Sequence, residues 1–183
     1  MTIATAEHGV ITEAGAIRFE RLLPGPVERV WDYLVDPAKR RTWLADGAMD
    51  ARPGGDFEYV WRNSELSREG NDPVPEKYAA YAEHRMKGHV IEADPPRRLV
   101  HNWDENGDTP NEVTFELAER GDKVLLTLTH RRLSGRQGML SVGAGWHTHL
   151  DILQATLEGR DPPAFWRNHM RIERDYEELI PAD

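Results

Sequence analysis

One apolar stripe in the last third of the chain constrains the fold more than any other feature of the sequence. Between two glycines, Gly138 and Gly159, apolar side chains recur at helical spacing: Met139, Val142, Trp146, Leu150, Leu153 and Leu157. On a wheel of about 100° per residue they share one side. This predicts an amphipathic helix of about five turns that ends near Gly159. A stripe of this length needs a broad apolar surface to cover it.

Segments upstream of the stripe alternate apolar and polar residues and predict strands that supply this surface. They are AIRFERLL (16–23), GGDFEYVWRN (54–63), RMKGHVIEAD (85–94), RRLVHNWDE (97–105), NEVTFELAE (111–119) and KVLLTLTHRRL (123–133). Turn signals separate the last four, at 94–96, 106–108 and 120–122. Because the spacings are short and contain no helical pattern, we expect an antiparallel meander.

Helical patterns flank these strands. PVERVWDYLV (26–35) predicts a first helix, and Asp36-Pro37 predicts a second short helix that ends near Trp43-Leu44. A polar segment, 64–84, is too long for a hairpin, and we expect a helical turn near Tyr78. Asp161-Pro162-Pro163 predicts the start of a last helix, whose apolar face is Phe165, His169, Ile172, Tyr176 and Leu179.

Composition narrows the classes of protein. The 183 residues suffice for one ordinary domain, and the formal net charge of −9 argues against nucleic acid and anionic membranes as partners. The absence of cysteine excludes disulfides, thiolate nucleophiles and cysteine-based zinc sites. The N-terminus lacks a signal-peptide pattern and no segment has the roughly 20 apolar residues of a membrane span, so we expect a cytoplasmic protein.

A strongly twisted sheet that curls around a straight helix leaves a cavity between them. Strand alternation and the helical stripe predict which side chains face it. The candidates for its lining are Tyr59, Trp61, His101, Trp103, Phe115, Leu126, Leu128, His130, Trp146, His149 and Leu150, with Leu117 on the same face. The aromatic members can stack against a ligand, or they can fill the interior and leave no pocket.

The histidines raise the question of a metal or catalytic site. His147 and His149 lie two residues apart, about 160° around a helix, so they cannot chelate one metal ion. We therefore expect no metal and no cofactor. His147 is predicted to point outward and form a surface pair with Asp151, whereas His149 lies at the edge of the stripe. His101 and His130 can transfer protons in an apolar pocket, but no carboxylate partner or nucleophile accompanies them, and we assign no catalytic residue.

Five motifs in this order resemble a known superfamily. They are PGPVERVWDYLVDPAKRRTWL, PGGDFEY, GHVIEADPPRRLVHNW, VTFELAERGDKVLLTLTHRRL and GWHTHLDILQATLEG. The chain resembles the START-like, or Bet-v-1-like, SRPBCC superfamily, and within it the family similar to the C-terminal domain of the activator of heat-shock protein 90 ATPase. The resemblance implies an α+β helix-grip fold, in which a curved antiparallel sheet wraps around the long C-terminal helix. It divides the chain into a tail (1–14), a START-like domain (15–160, with the insertion 64–84) and a helical extension (161–183).

The resemblance also implies three alternative functions. The first, which we favour, is non-enzymatic binding of a small hydrophobic ligand in the cavity. The second is a chaperone-type or regulatory module that binds a protein partner, with a role in stress. The third is an enzyme of the polyketide cyclase or dehydratase type, which would need His101, His130 or His149 as a proton-transfer group. The sequence leaves a homodimer open.

Overall fold

A computed structural model describes residues 6–68, 70–103, 111–180 and 182 of the chain. In this part of the chain, seven antiparallel strands form one sheet, in the spatial order β1-β2-β7-β6-β5-β4-β3. The strands are β1 (Val10–Glu13), β2 (Ala16–Pro24), β3 (Asp56–Trp61), β4 (His84–Asp94), β5 (Arg98–Trp103), β6 (Asn111–Arg120) and β7 (Lys123–Arg131). The predicted meander is confirmed, and each of its strands lies within one or two residues of its expected bounds.

The helices also follow the predicted order. They are α1 (Val27–Val35), α2 (Pro37–Arg40), α3 (Gly135–Leu157) and α4 (Phe165–Leu179), and two 3₁₀ helices, Asn63–Leu66 and Glu76–Tyr81, lie in the insertion. The second 3₁₀ helix confirms the turn expected near Tyr78. None of the described helices combines the length and apolar character needed to cross a membrane.

The first long strand of the chain, β2, lies next to the last one, β7, in the sheet. β2 pairs with β7 from Ile17 opposite His130 to Pro24 opposite Lys123. Every other strand pairs with its neighbour in sequence. The sheet therefore joins the two ends of the domain, with β1 and β3 at its edges.

The apolar stripe of α3 packs onto the sheet, as its spacing predicts. Leu150 and Leu153 are fully buried, and the Trp146 ring lies 5.8 Å from the Phe115 ring of β6. The inward face of the sheet is equally buried, with Phe19, Leu99, Leu126 and Leu128 among its members. The α+β helix-grip architecture is therefore confirmed.

The predicted surface position of His147 is wrong. His147 is 2% exposed, and its Nδ1 lies 3.1 Å from the hydroxyl oxygen of Tyr176 on α4. That hydroxyl accepts the Gly9 N–H, so its own proton is available to His147. Asp151 does lie near His147, with its carboxylate 3.6 Å from Nε2. The side of α3 that faces away from the sheet is thus covered by α4, which sequence periodicity alone does not reveal.

The insertion is attached to the start of α4. The buried Asp72 carboxylate accepts the backbone N–H groups of Trp166 (2.8 Å) and Arg167 (3.3 Å). The Trp166 indole donates to the Ser64 hydroxyl and stacks on Tyr78 at 5.3 Å between ring centroids. Because the first amides of a helix have no partner inside the helix, Asp72 acts as their cap across a long sequence separation.

We expect Asp72→Ala to lower the free energy of unfolding by about 1–2 kcal/mol, since two helix N–H groups lose their buried acceptor. Urea denaturation measures the change, and amide hydrogen exchange should accelerate at Trp166 and Arg167. Asp161→Ala is the matched control, because its side chain is 82% exposed and pairs with the exposed Arg68. Equal effects from the two substitutions would contradict the capping role of Asp72.

Candidate functional site

A cavity of about 460 Å³ opens where one end of the sheet meets α3, α4 and the insertion. Four groups of side chains form its wall. The sheet and the loops next to it contribute Leu44, Trp61, Asn63, His84, Met86 and Trp103; α3 contributes Arg136, Gln137, Leu140, Ser141, Val142, Gly145, Trp146 and His149; α4 contributes Phe165, Trp166, His169, Glu173 and Glu177; the insertion contributes Tyr78 and Tyr81. The wall therefore combines aromatic side chains with polar and charged ones.

The structure divides the eleven residues predicted to line a cavity into two groups. Trp61, Trp103, Trp146 and His149 lie on the wall. The other seven are in the packed interior behind it: Tyr59, His101, Phe115, Leu126, Leu128, His130 and Leu150. Each of these seven is at most 1% exposed, because aromatic and leucine side chains fill the space between the sheet and the middle of α3. The opening is thus confined to the end of the domain where the insertion lies.

Three tryptophans form the inner wall. The Trp103 ring lies 5.5 Å from the Trp61 ring and 5.2 Å from the Trp146 ring, and the planes of these two pairs are inclined by 62° and 52° rather than stacked. The Trp146 indole donates to Nδ1 of His130 at 3.1 Å. This bond fixes the position of Trp146, because an indole has a single polar atom and here it is satisfied.

His130 is a neutral interior residue. Since its Nδ1 accepts from Trp146, its proton lies on Nε2, which is buried without a partner among the described residues. Burial lowers the pKa of His130 to about 3, because the charged imidazolium would be desolvated. His130 is not on the cavity wall, and no carboxylate is recorded beside it in the described part of the chain.

His101 is also hydrogen-bonded in the core. Its Nδ1 donates to the Asn102 carbonyl at 2.7 Å, and the Tyr59 hydroxyl donates to its Nε2 at 3.2 Å. Burial lowers the pKa of His101 to about 4 and raises that of Tyr59 to about 12. Both side chains are uncharged at neutral pH and are hydrogen-bonded to each other. They are therefore part of the packed core.

His149 differs because it lies on the cavity wall. Its Nδ1 donates to the Trp43 carbonyl at 2.8 Å, which leaves the lone pair on Nε2. The Phe165 ring lies 4.7 Å from the imidazole. Burial lowers the pKa of His149 to about 4, so the ring is neutral at pH 7. His149 therefore offers the cavity a hydrogen-bond acceptor and a base.

The outer wall consists of residues whose role the sequence analysis did not predict. On α4, His169 is 7% exposed, and its Nδ1 has no partner among the described residues. Glu173 accepts hydrogen bonds from Lys77 and from the Tyr78 hydroxyl, both in the insertion. The aromatic residues in 76–81 and 165–166 are the sequence feature from which this wall could have been predicted. The two segments come together through contacts between residues far apart in the sequence, which the sequence alone does not show.

No metal centre is found in the part of the chain that the structure describes, since no three histidine, aspartate or glutamate side chains converge there. His147 and His149 leave α3 in different directions, toward Tyr176 and toward Trp43 respectively. The two residues that first suggested a metal site therefore belong to different surroundings.

Comparisons with known proteins agree with this architecture. The family described as activator of Hsp90 ATPase homolog 1-like protein matches residues 24–158. No curated protein matches the chain.

Solved structures extend the similarity to the whole chain. A solution structure of a Bordetella parapertussis protein is 42% identical, with 97% of this chain and 93% of that chain covered and a TM-score of 0.80. The crystal structure of CalU16 from Micromonospora echinospora is 26% identical, with 98% of each chain covered and a TM-score of 0.65. A Rhodobacter sphaeroides protein, 21% identical over 82% of this chain and 97% of that chain, shares the fold with a TM-score of 0.60. From the matched residues and the helix-grip fold together, we conclude that the chain belongs to the family of activator of Hsp90 ATPase homolog 1-like proteins, within the SRPBCC superfamily.

Proposed function

We propose that this domain binds a small, largely apolar ligand in the cavity between the sheet, α3, α4 and the insertion. The observation that carries the proposal is the cavity itself, about 460 Å³ with tryptophans on its inner and outer walls. Ligand sites in proteins have this size and this combination of apolar walls with a few polar groups. Family membership supports the proposal, because the superfamily's fold places such a cavity beside its long helix.

Gly145 provides a direct way to fill the cavity. It lies on α3 at the cavity wall, and a Cβ built on it meets no atom within 4 Å outside its own stretch of helix. A larger side chain at this position can therefore enter the cavity without displacing the core. Replacing a helical glycine also favours the helix, by roughly 0.5–1 kcal/mol for alanine.

We expect Gly145→Leu to weaken binding of naphthalene, an apolar probe that fits the cavity, by at least about 10-fold. The thermal midpoint should stay at or above that of the native protein, since the helix gains and the core is unchanged. NMR titration of the full chain measures the affinity. Gly138→Leu is the control, because Gly138 lies on the same helix with equally free space but away from the cavity wall. Unchanged affinity in the Gly145 variant would overturn the proposal.

A cyclase-like or dehydratase-like reaction is the second candidate. The observation that favours it is the unprotonated Nε2 of His149 at the cavity wall, since a neutral imidazole there can accept a proton from a bound substrate. We still favour binding without catalysis, because no described carboxylate or nucleophile is hydrogen-bonded to His149.

A chaperone-type or regulatory interaction remains a prediction for the outside of the domain. Val10, Ile11 and Leu179 are each about half exposed and line a second groove, of about 440 Å³, between the N-terminal segment and the end of α4. Exposed apolar side chains that lie together are typical of protein-binding surfaces.

A further inference from the structure

The polar atoms on the cavity wall indicate which ligands the cavity accepts. We propose that Nε2 of His149 selects neutral, planar aromatic molecules that donate a hydrogen bond, such as phenols or N–H heterocycles, over aromatic carboxylates. This inference rests on the proposed function, because it names the class of ligand for the same cavity. His149 acts here as a specificity-determining residue.

Contacts on the side away from Nε2 fix the orientation of the His149 imidazole. Its Nδ1–H is committed to the Trp43 carbonyl at 2.8 Å, and the Phe165 ring lies against the imidazole at 4.7 Å. No residue in the described part of the chain hydrogen-bonds to Nε2, although the side chain is only 6% exposed. Nε2 itself is not fully buried, so its lone pair is open to a donor in the cavity. A ligand O–H or N–H in the cavity would provide it.

Two other residues on the cavity wall carry buried polar atoms without a partner. The Asn63 carbonyl oxygen and His169 Nδ1 are buried, and neither has a partner among the described residues. An amide carbonyl can only accept a hydrogen bond. Asn63 Oδ1 is therefore a second acceptor at the cavity wall, which favours a ligand that donates a hydrogen bond.

The charges around the cavity disfavour an anion. Both carboxylates on the wall, Glu173 and Glu177, lie on α4. Lys77 is paired with Glu173, and Arg136 donates to the backbone carbonyls of Ile180 (2.7 Å) and Glu177 (3.1 Å) at the carboxyl end of α4. That end of a helix carries partial negative charge, which offsets the guanidinium. An aromatic carboxylate would thus meet paired cations and like charges.

The walls favour a flat ring. Trp61, Trp103 and Trp146 form the inner side, and Tyr78 and Trp166, stacked 5.3 Å apart, form the outer side. Aromatic faces on two sides of a cavity bind planar rings by stacking and edge contacts.

His149 can accept a hydrogen bond at neutral pH. Burial lowers the pKa of His149 to about 4, so the imidazole is neutral near pH 7.

The test compares three probes of similar shape on the full chain at pH 7: naphthalene, 2-naphthol and 2-naphthoate. We expect 2-naphthol to bind at least about 5-fold more tightly than naphthalene, and 2-naphthoate to bind more weakly than either. Isothermal titration calorimetry or NMR titration gives the three affinities. This order of affinities, measured on the native protein alone, tests the preference for a neutral hydrogen-bond donor.

Two variants distinguish the role of His149 Nε2 as a hydrogen-bond acceptor from the structural role of the side chain. His149→Asn keeps an N–H near the Nδ1 position for the Trp43 carbonyl but removes the acceptor at Nε2. We expect it to fold with a thermal midpoint close to native and to lose the preference for 2-naphthol over naphthalene. His149→Gln carries an amide near the Nε2 position, so it should retain part of that preference even where stability falls.

The outcomes are distinguishable. Equal affinities for the three probes, or a 2-naphthol preference that persists in His149→Asn, would overturn the selection by His149 while leaving ligand binding intact. Failure of all three probes to bind would overturn the proposed function, and the selection with it.

Discussion

Below about pH 6 the protein is expected to lose stability steeply and to unfold cooperatively before pH 4. Five histidines are responsible, and each is at most 7% exposed: His101, His130, His147, His149 and His169. Burial lowers their pKa values to about 3 or 4. In the unfolded chain each would have a pKa of about 6.5, so unfolding takes up protons throughout the interval between these values.

The sign of the effect follows from this uptake. The folded-state pKa is the lower one, so the stability associated with a neutral histidine is fully present above pH 6.5 and is lost as the pH falls toward 4. At pH 5 each such histidine costs about 2 kcal/mol relative to pH 7. Five together are comparable to the roughly 5–15 kcal/mol that a domain has in total. Asp151 opposes the trend, because burial raises its pKa and it takes up a proton while folded.

Urea denaturation followed by circular dichroism at pH 8, 7, 6 and 5 measures the effect. His169→Gln should reduce the slope of stability against pH by about 1.4 kcal/mol per unit between pH 6 and 5, since one proton fewer is taken up. His89→Gln is the control, because His89 is exposed. A protein equally stable at pH 7 and pH 5 would show that these histidines are not neutral and buried as the structure places them.

Arg40→Met is expected to cause the largest loss of stability of any single substitution considered. The Arg40 side chain is fully buried and donates to the backbone carbonyls of Leu34, Val35, Ala45 and Gly47. Its guanidinium also lies 5.0 Å from the centre of the Tyr59 ring. Burial lowers the pKa of Arg40, but the carbonyl dipoles around it replace part of its lost hydration. One side chain thus joins the carboxyl end of α1 to the loop between α2 and β3.

Methionine preserves the volume of the chain stem and removes every donor. We expect the free energy of unfolding to fall by roughly 3–5 kcal/mol, because four backbone carbonyls lose the guanidinium as a donor. Chemical denaturation measures the change. Arg41→Met is the matched control, since the neighbouring Arg41 is exposed and should change stability by less than about 0.5 kcal/mol. A loss below about 1 kcal/mol in Arg40→Met would mean that water replaces the guanidinium at these carbonyls.

The sequence predicts the sheet and α3 well because their patterns are local. The stripe around Trp146, Leu150 and Leu153 identifies the face that packs on the sheet, and period-two alternation identifies the inward strand residues. The position of His147 is different, because it depends on whether another element covers the second side of α3. That packing requires Gly143, where a Cβ would come within 2.9 Å of the Tyr176 ring. A close approach between distant segments leaves no periodic signal.

The candidate site is predictable only in part for the same reason. Alternation assigns Trp61 and Trp103 to the inner face of the sheet. It predicts the face on which a side chain lies but not its distance from the cavity. For this reason it also assigns Phe115 and Leu128, which lie in the filled interior. The outer wall depends on Asp72, which attaches the insertion to α4. The polar composition of the insertion suggests a loop, whereas its position over the cavity is set by these distant hydrogen bonds.

The pairing of β2 with β7 has a consequence for synthesis on the ribosome. Ile17 leaves the exit tunnel long before His130, its partner across the sheet, has been translated. At translation rates of about 5–20 residues per second, the apolar face of β2 stays uncovered for several seconds before the strand that covers it is made. The nascent chain therefore exposes Ile17, Phe19 and Leu23 during most of translation, and the sheet closes only when the last strand emerges.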